Sequence, residues 1–135
     1  MSRQRTLEQE RASKAWDFIQ DIKKNFPKDV QEKYSALARK APADIQSNGL
    51  GQTISFWNAK GKEATENTSA ENKAHQQLLA HVKGWLNDKN SLHLGKSNLV
   101  EWVSKEAQVE DYRRATAEAI AFLVWVKRFA EAQLA

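Results

Sequence analysis

The sequence predicts an all-α fold, a single-domain bundle of about five to seven helices ending in a long C-terminal one. Three observations carry that prediction. Apolar residues recur at spacings of three and four in almost every segment, which places them on one face of a helix. No segment alternates polar and apolar residues for long enough to form a strand. Helix start and stop signals punctuate the chain at the intervals a bundle requires. With 135 residues, one domain spanning 1–135 buries roughly 70% of the surface of its unfolded chain and needs no disulfide or metal to hold it.

The first helix opens at Thr6-Leu7-Glu8-Gln9, where the Thr6 hydroxyl can cap the backbone three residues on and Gln9 can reach back. Ala12, Ala15, Trp16, Ile19, Ile22 and Phe26 form its apolar stripe, and Pro27 stops it. A second helix begins near Asp29, buries Val30, Tyr34, Leu37 and Ala38, and is expected to end before Pro42, because a proline pushes the residue ahead of it out of helical geometry. Residues 43–61 contain two glycines within three positions, Gly49 and Gly51. Such a pair costs a helix about 2 kcal/mol relative to alanine, so this region reads as two short helices or one interrupted helix, with Gly61 as a C-terminal stop. Alternatively, Asn48, Gly49, Gly51, Gln52 and Thr53 allow another group to approach the backbone closely.

Residues 61–69 are polar and without apolar period, the pattern of a surface loop. Thr68 and Glu71 then read as a capping box for a helix burying Ala74, Leu78, Val82, Trp85 and Leu86. A short helix starts near Asn98, and the last runs from about Val109. Residues 110–135 present Tyr112, Ala115, Thr116, Ala119, Phe122, Leu123, Val126, Phe129 and Ala130 on one face, with Ile120, Val124 and Trp125 outside it. This helix would span about 37 Å, with basic pairs near its two ends.

Composition excludes several chemistries. The chain has no cysteine, which removes disulfides, thiolate catalysis and sulfur-ligated zinc and fits a reducing compartment, so the cytoplasm is the expected location. No apolar run approaches the roughly 20 residues of a membrane helix, and the opening segment lacks the apolar middle of a secretion signal. His75 and His81 lie six positions apart, which does not align them on one helical face, so these two and His93 read as solvated or capping residues. Glu8, Glu10, Glu110 and Asp111 lie in first turns, where the helix dipole accounts for them. With no phosphate-binding loop, nucleophile elbow or H-E-x-x-H motif, neither enzyme activity nor a cofactor is expected, and no metal site.

Binding is better supported. The net charge of +4 is uneven: residues 1–62 hold 12 Lys/Arg against 7 Asp/Glu, and residues 63–135 hold 9 against 10. Arg11, Lys14 and Phe18 share one side of the first helix, expected to point away from the Trp16–Ile19 stripe. Trp125 and Arg128 share a side of the last helix, with Arg114 further along it and Arg113 and Lys127 on a neighbouring one. Cations meeting phosphates beside an aromatic that can stack on a base suit RNA. The candidate phosphate contacts are therefore Arg11, Lys14, Arg39, Lys40, Arg113, Arg114, Lys127 and Arg128, with Phe18 and Trp125 as interface or stacking residues. The competing reading is a second packing face against a helix or subunit, with the cations reaching past it to solvent.

Three segments in order, RTLEQERASKAW, IQSNGLGQTISFW and DYRRATAEAIAFLVWVKRFAEAQL, resemble the small helical subunit of type III-B CRISPR effector complexes, the Cmr RNA-silencing machines. The likeness runs along nearly the whole chain. It implies a non-catalytic subunit that stacks in copies beside the backbone subunits and helps line the groove where guide and target RNA pair. The implied partners are the backbone and large Cmr subunits, copies of itself, and guide and target RNA, with no membrane and no small-molecule substrate. Phosphate contacts that ignore sequence fit such a machine, because specificity comes from base pairing. The alternative is a helical protein-interaction adaptor that binds no nucleic acid.

Overall fold

The structure, a computed structural model, describes residues 5–62 and 69–134. Helix α1 (Leu7–Asn25) starts at the expected box: the Gln9 backbone N–H donates to the Thr6 hydroxyl at 3.1 Å, and the Gln9 side-chain carbonyl accepts from the Thr6 backbone N–H at 2.9 Å. Glu8 and Glu10 sit at its positive end and Lys23 and Lys24 at its negative end, each favourable to the helix dipole. Ala15, Ile19 and Ile22 are fully buried, whereas Trp16 stays 42% exposed at the rim. The apolar stripe is therefore narrower than its spacing predicts.

Helix α2 (Lys28–Asn48) contains Pro42 rather than stopping before it. The proline cannot donate to the carbonyl four residues back, but Ala41 and Ile45 are buried on the same face as Leu37 and Ala38. Burying that extended face offsets the missing hydrogen bond. The chain breaks instead at Gly49, whose φ of 87° lies in the region that side chains with a Cβ avoid. Its N–H closes α2 on the Ile45 carbonyl at 2.8 Å. Helix α3 (Leu50–Lys62) starts at once, so the interrupted region is two helices sharing a one-residue hinge.

Gly61 does not terminate α3. It lies buried in the last turn, where a Cβ would come within 2.9 Å of Gln76 Cα on helix α4 (Ala70–Asn87). The glycine lets two helix backbones cross closely. Gly61→Ala is expected to lower stability by about 2 kcal/mol, because overpacking outweighs alanine's better helix propensity; urea unfolding of the purified variant measures it. The α4 cap is Ser69, which accepts from the Asn72 N–H at 3.3 Å. The expected capping residue Thr68 lies outside the described residues, as does most of the expected 61–69 loop, while Gly61 and Lys62 belong to α3.

After α4, a turn with His93 at φ 52° and Gly95 at φ 66° leads to Asn98, whose side chain caps a short helix α5 (Leu99–Glu101). This runs into a single π turn over Trp102–Glu106. Helix α6 (Val109–Gln133) follows, as expected, and packs along both α1 and α2. Helix α4 lies across α2, α3 and α6. The core sits between these layers, with Trp85 stacked on Phe122 at 5.5 Å between ring centroids. Among the described residues no strand forms, and no helix is long and apolar enough to cross a membrane.

Candidate functional site

The first constellation is a charge buried among three helices. Glu118 of α6 is only 7% exposed, and its carboxylate accepts from Arg11 Nε at 2.6 Å, Arg11 Nη2 at 2.9 Å and Trp85 Nε1 at 3.0 Å. Arg11 Nη1 donates further to Glu8 at 2.7 Å. Such a fork-shaped pair is strong because both N–H bonds are charge-assisted. The Glu118 hydrogen bonds raise the Arg11 pKa further. Burial alone would raise the Glu118 carboxyl, but the bonds from Arg11 and Trp85 outweigh it and hold it below its usual value. Arg11 is thus committed inside the fold, contrary to its expected place on an RNA-facing surface.

Lys14 and Phe18 lie on the same side of α1 as Arg11, and that side faces α4. Lys14 pairs with Asp88 at 3.2 Å and sits 5.4 Å from the Phe18 ring centroid. Phe18 stacks on His81 at 4.2 Å, meets Phe122 edge-on and abuts Gly84, where a Cβ would lie 3.2 Å from its ring. This corrects the expectation of an outward aromatic among cations in favour of the competing reading, a second packing face against a helix: α1 has two packed sides, and its exposed aromatic is Trp16. Trp125 is half-buried against Phe129, whose ring also takes the edge of Trp16.

Two histidines expected as solvated or capping residues are buried. His81 Nδ1 lies 2.7 Å from the Tyr34 hydroxyl, and burial lowers its pKa to about 4, with Asp21 opposing weakly. Burial likewise drives the Tyr34 phenol upward. His75 Nδ1 bonds the Glu71 carbonyl at 2.7 Å, while Phe56 packs edge-on against its ring. His93 remains exposed. Spacing held the signal: His81 lies three residues after Leu78 and four before Trp85, on the buried stripe of α4. Glu118 is similarly three after Ala115 and four before Phe122. A charged or titratable residue on such a stripe demands a buried partner.

The remaining basic positions are separated from these packed groups. Arg39, Lys40, Arg114 and Arg128 are exposed and Lys127 is half-buried; among the described residues none of the five forms an ion pair. Arg113 is exposed and, among the described residues, its one ion pair is with Glu110, at 3.4 Å, one helical turn away. Such surface pairs are worth little and separate readily for another anion. Arg113 and Arg114 lie near the start of α6, and Lys127 and Arg128 near its end.

Two surface hollows flank these cations. One, of about 360 Å³ between α2 and α3, is lined by Leu37, Lys40, Asp44, Asn48, Gln52, Thr53, Phe56 and Trp57. The other, apolar and of about 660 Å³, runs along the first half of α6 past Val109, Tyr112, Arg113, Thr116 and Ile120. At the hinge, the group that approaches the backbone closely is internal: the Gly51 N–H donates to the Tyr112 hydroxyl at 2.9 Å. A Cβ on Gly51 would stand 3.3 Å from that oxygen. The side chains of Asn48 and Gln52 point to the α2–α3 hollow, and Thr53 Oγ1 donates to the Asp44 carbonyl at 3.2 Å. Among the described residues, no three His, Cys, Asp or Glu side chains cluster as a metal site would need.

Fold and surface together define a small helical bundle whose buried charges are matched internally and whose unmatched cations lie outside. The family model described as "CRISPR-associated protein (Cas_Cmr5)" matches residues 7–133. The chain is 31% identical over 128 residues to a Thermus thermophilus protein named "CRISPR system Cmr subunit Cmr5", covering 95% of this chain and 96% of the relative. It also matches the crystal structure of a CRISPR-associated Cmr5 family protein from the same organism, with a TM-score of 0.72 and 26% identity over 98% of this chain and 100% of the other. This chain belongs to the Cmr5 family of CRISPR-associated proteins.

Proposed function

We propose that the protein is a non-catalytic structural subunit of a type III-B CRISPR Cmr ribonucleoprotein, present in stacked copies and lending a basic surface to the groove that holds guide and target RNA. The observation that carries this reading is the end-to-end match to a relative named as a Cmr subunit. The unmatched cations support it. Arg39, Lys40, Arg113, Arg114, Lys127 and Arg128 remain the candidates for phosphate contact, while Arg11 and Lys14 are engaged by Glu118 and Asp88. Contacts of this kind position a nucleic acid without reading its sequence. Each copy need bind only weakly when contacts repeat along an assembly.

Reversing charge at Arg113 and Arg114 together is expected to weaken retention of target RNA by the assembled complex and to flatten its dependence on salt, since fewer counterions are released on binding. Filter binding across a range of salt concentrations reads both quantities. An assembled variant that holds RNA as tightly as wild type at every salt concentration removes these two residues from the RNA surface. The apolar hollow beside Val109, which is 70% exposed, favours a protein contact on the same helix. It is the feature that an adaptor binding no nucleic acid would share, and such an adaptor shows no RNA-dependent salt slope either free or assembled.

A further inference from the structure

Across the Gly49 hinge, Lys40, Asp44, Asn48, Gln52, Phe56 and Lys60 follow one another at intervals of four, three on α2 and three on α3. The first five line the hollow of about 360 Å³, a size at the lower end of small-ligand sites, roughly 300–1,000 Å³. Phe56 is 56% exposed, the most exposed aromatic among the described residues, and the Lys60 ammonium lies 5.9 Å from its ring centroid. Among the described residues, the Lys40 ammonium, the Asp44 carboxylate and the side-chain amides of Asn48 and Gln52 have no hydrogen-bond or ion-pair partner. The hollow therefore combines an exposed aromatic ring, unused donors and acceptors, Lys40 in its lining and Lys60 beside Phe56.

We propose that this α2–α3 groove is a site for an unpaired RNA base: the base stacks on Phe56, its edge bonds Asn48, Gln52 and Asp44, and flanking phosphates meet Lys40 and Lys60. The proposal rests on the RNA-facing reading above and goes beyond it, since that reading needs phosphate contacts alone. The lining selects among ligands. A bare phosphate inside the groove would meet the Asp44 carboxylate, whereas base N–H groups donate to it. An apolar side chain from a protein would strip water from Asp44, Asn48 and Gln52 and return no hydrogen bond, which is costly; the edge of a base satisfies all three. Paired RNA has its base edges occupied and its faces stacked, so the groove takes single strands, loops or displaced bases.

The test is an NMR titration of the full-length protein with a ten-nucleotide oligouridylate, whose bases stack poorly on one another, and with an RNA duplex of the same length. The Asn48 and Gln52 side-chain amide signals and the Phe56 ring signals are expected to shift with the single strand. Phe56→Ala is expected to weaken single-strand affinity about tenfold, the scale of one lost base–aromatic stack, while Phe56→Tyr retains it and duplex affinity is unchanged. Thermal unfolding of the variant separates a folding defect from a binding one. Single-strand affinity unchanged by Phe56→Ala, or lowered equally for the duplex, overturns the proposal. So does a variant that binds the oligonucleotide normally but is lost from the co-purified complex, since the groove is then a protein contact. If Arg113 and Arg114 reversal weakens RNA binding and Phe56→Ala does not, this site fails and the RNA-facing reading stands; if the wild type binds neither RNA with any salt dependence in the free or assembled state, both fail.

Discussion

Replacing Glu118 with leucine is expected to destabilise the fold by about 4 kcal/mol, the scale on which one member of a buried pair is lost. The carboxylate is the meeting point of α1, α4 and α6: Arg11 reaches it with two nitrogens and Trp85 with one. Leucine fills similar space but leaves a mostly buried guanidinium with Glu8 as its remaining partner and an indole N–H with none. Glu118→Gln keeps an acceptor for Trp85 and loses the charge, so its loss is smaller. The double variant Arg11→Met with Glu118→Leu removes both charges and is expected to recover most of the stability lost in the single one. Urea unfolding of wild type, Arg11→Met, Glu118→Leu and the double closes the cycle. If Glu118→Leu unfolds within about 1 kcal/mol of wild type, the pair does not hold the three helices together.

Acid is expected to weaken the same core before most carboxylates titrate. His81 has an ordinary pKa of 6.5 and is lowered to about 4 by burial, so between those values the unfolded chain binds a proton that the folded one excludes. Stability therefore rises with pH across this window: the His81 contribution is complete above about pH 6.5 and is lost as pH falls towards 4. A shift of that size corresponds to roughly 3 kcal/mol. Glu118, held below its usual value of 4.5, adds a loss in the same direction at lower pH. His81→Phe, which stacks on Phe18 without a titrating group, is expected to flatten the slope between about pH 6.5 and 4 while losing the Tyr34 hydrogen bond at neutral pH. An unchanged slope in that variant, measured by denaturant unfolding at several pH values, would assign the acid sensitivity elsewhere.

Much of the helix order was legible in the sequence because it rests on local chemistry. Thr6 and Gln9 face each other at the start of one helix, Asn98 caps another, and the long final helix begins at Val109. What could not be read locally was decided by contacts between helices. Pro42 stays helical because Ala41 and Ile45 are needed in the core, and Gly61 is helical because α4 crosses it. Phe18 and Trp16 exchange their expected roles because α1 packs against α4 as well as α6, which a single apolar stripe does not reveal. For the candidate binding surface, spacing found the cations but not their partners. Arg11 and Lys14 differ from Arg39 and Lys40 only in having Glu118 and Asp88 across from them, residues distant in sequence. The glycine-containing segment 48–53 was conspicuous for a reason that composition does not state: it hinges two helices and receives Tyr112 from α6.

The proposed place of this subunit makes a direct demand on assembly. Co-expression with the backbone and large subunits of a Cmr complex and a guide RNA, followed by native mass spectrometry of the purified particle, counts its copies. The account predicts that it co-purifies in more than one copy and that ultraviolet crosslinking of bound target RNA labels its α2 or α6 surface. A particle that assembles and holds target RNA with this chain absent, or present without any RNA crosslink, would contradict it.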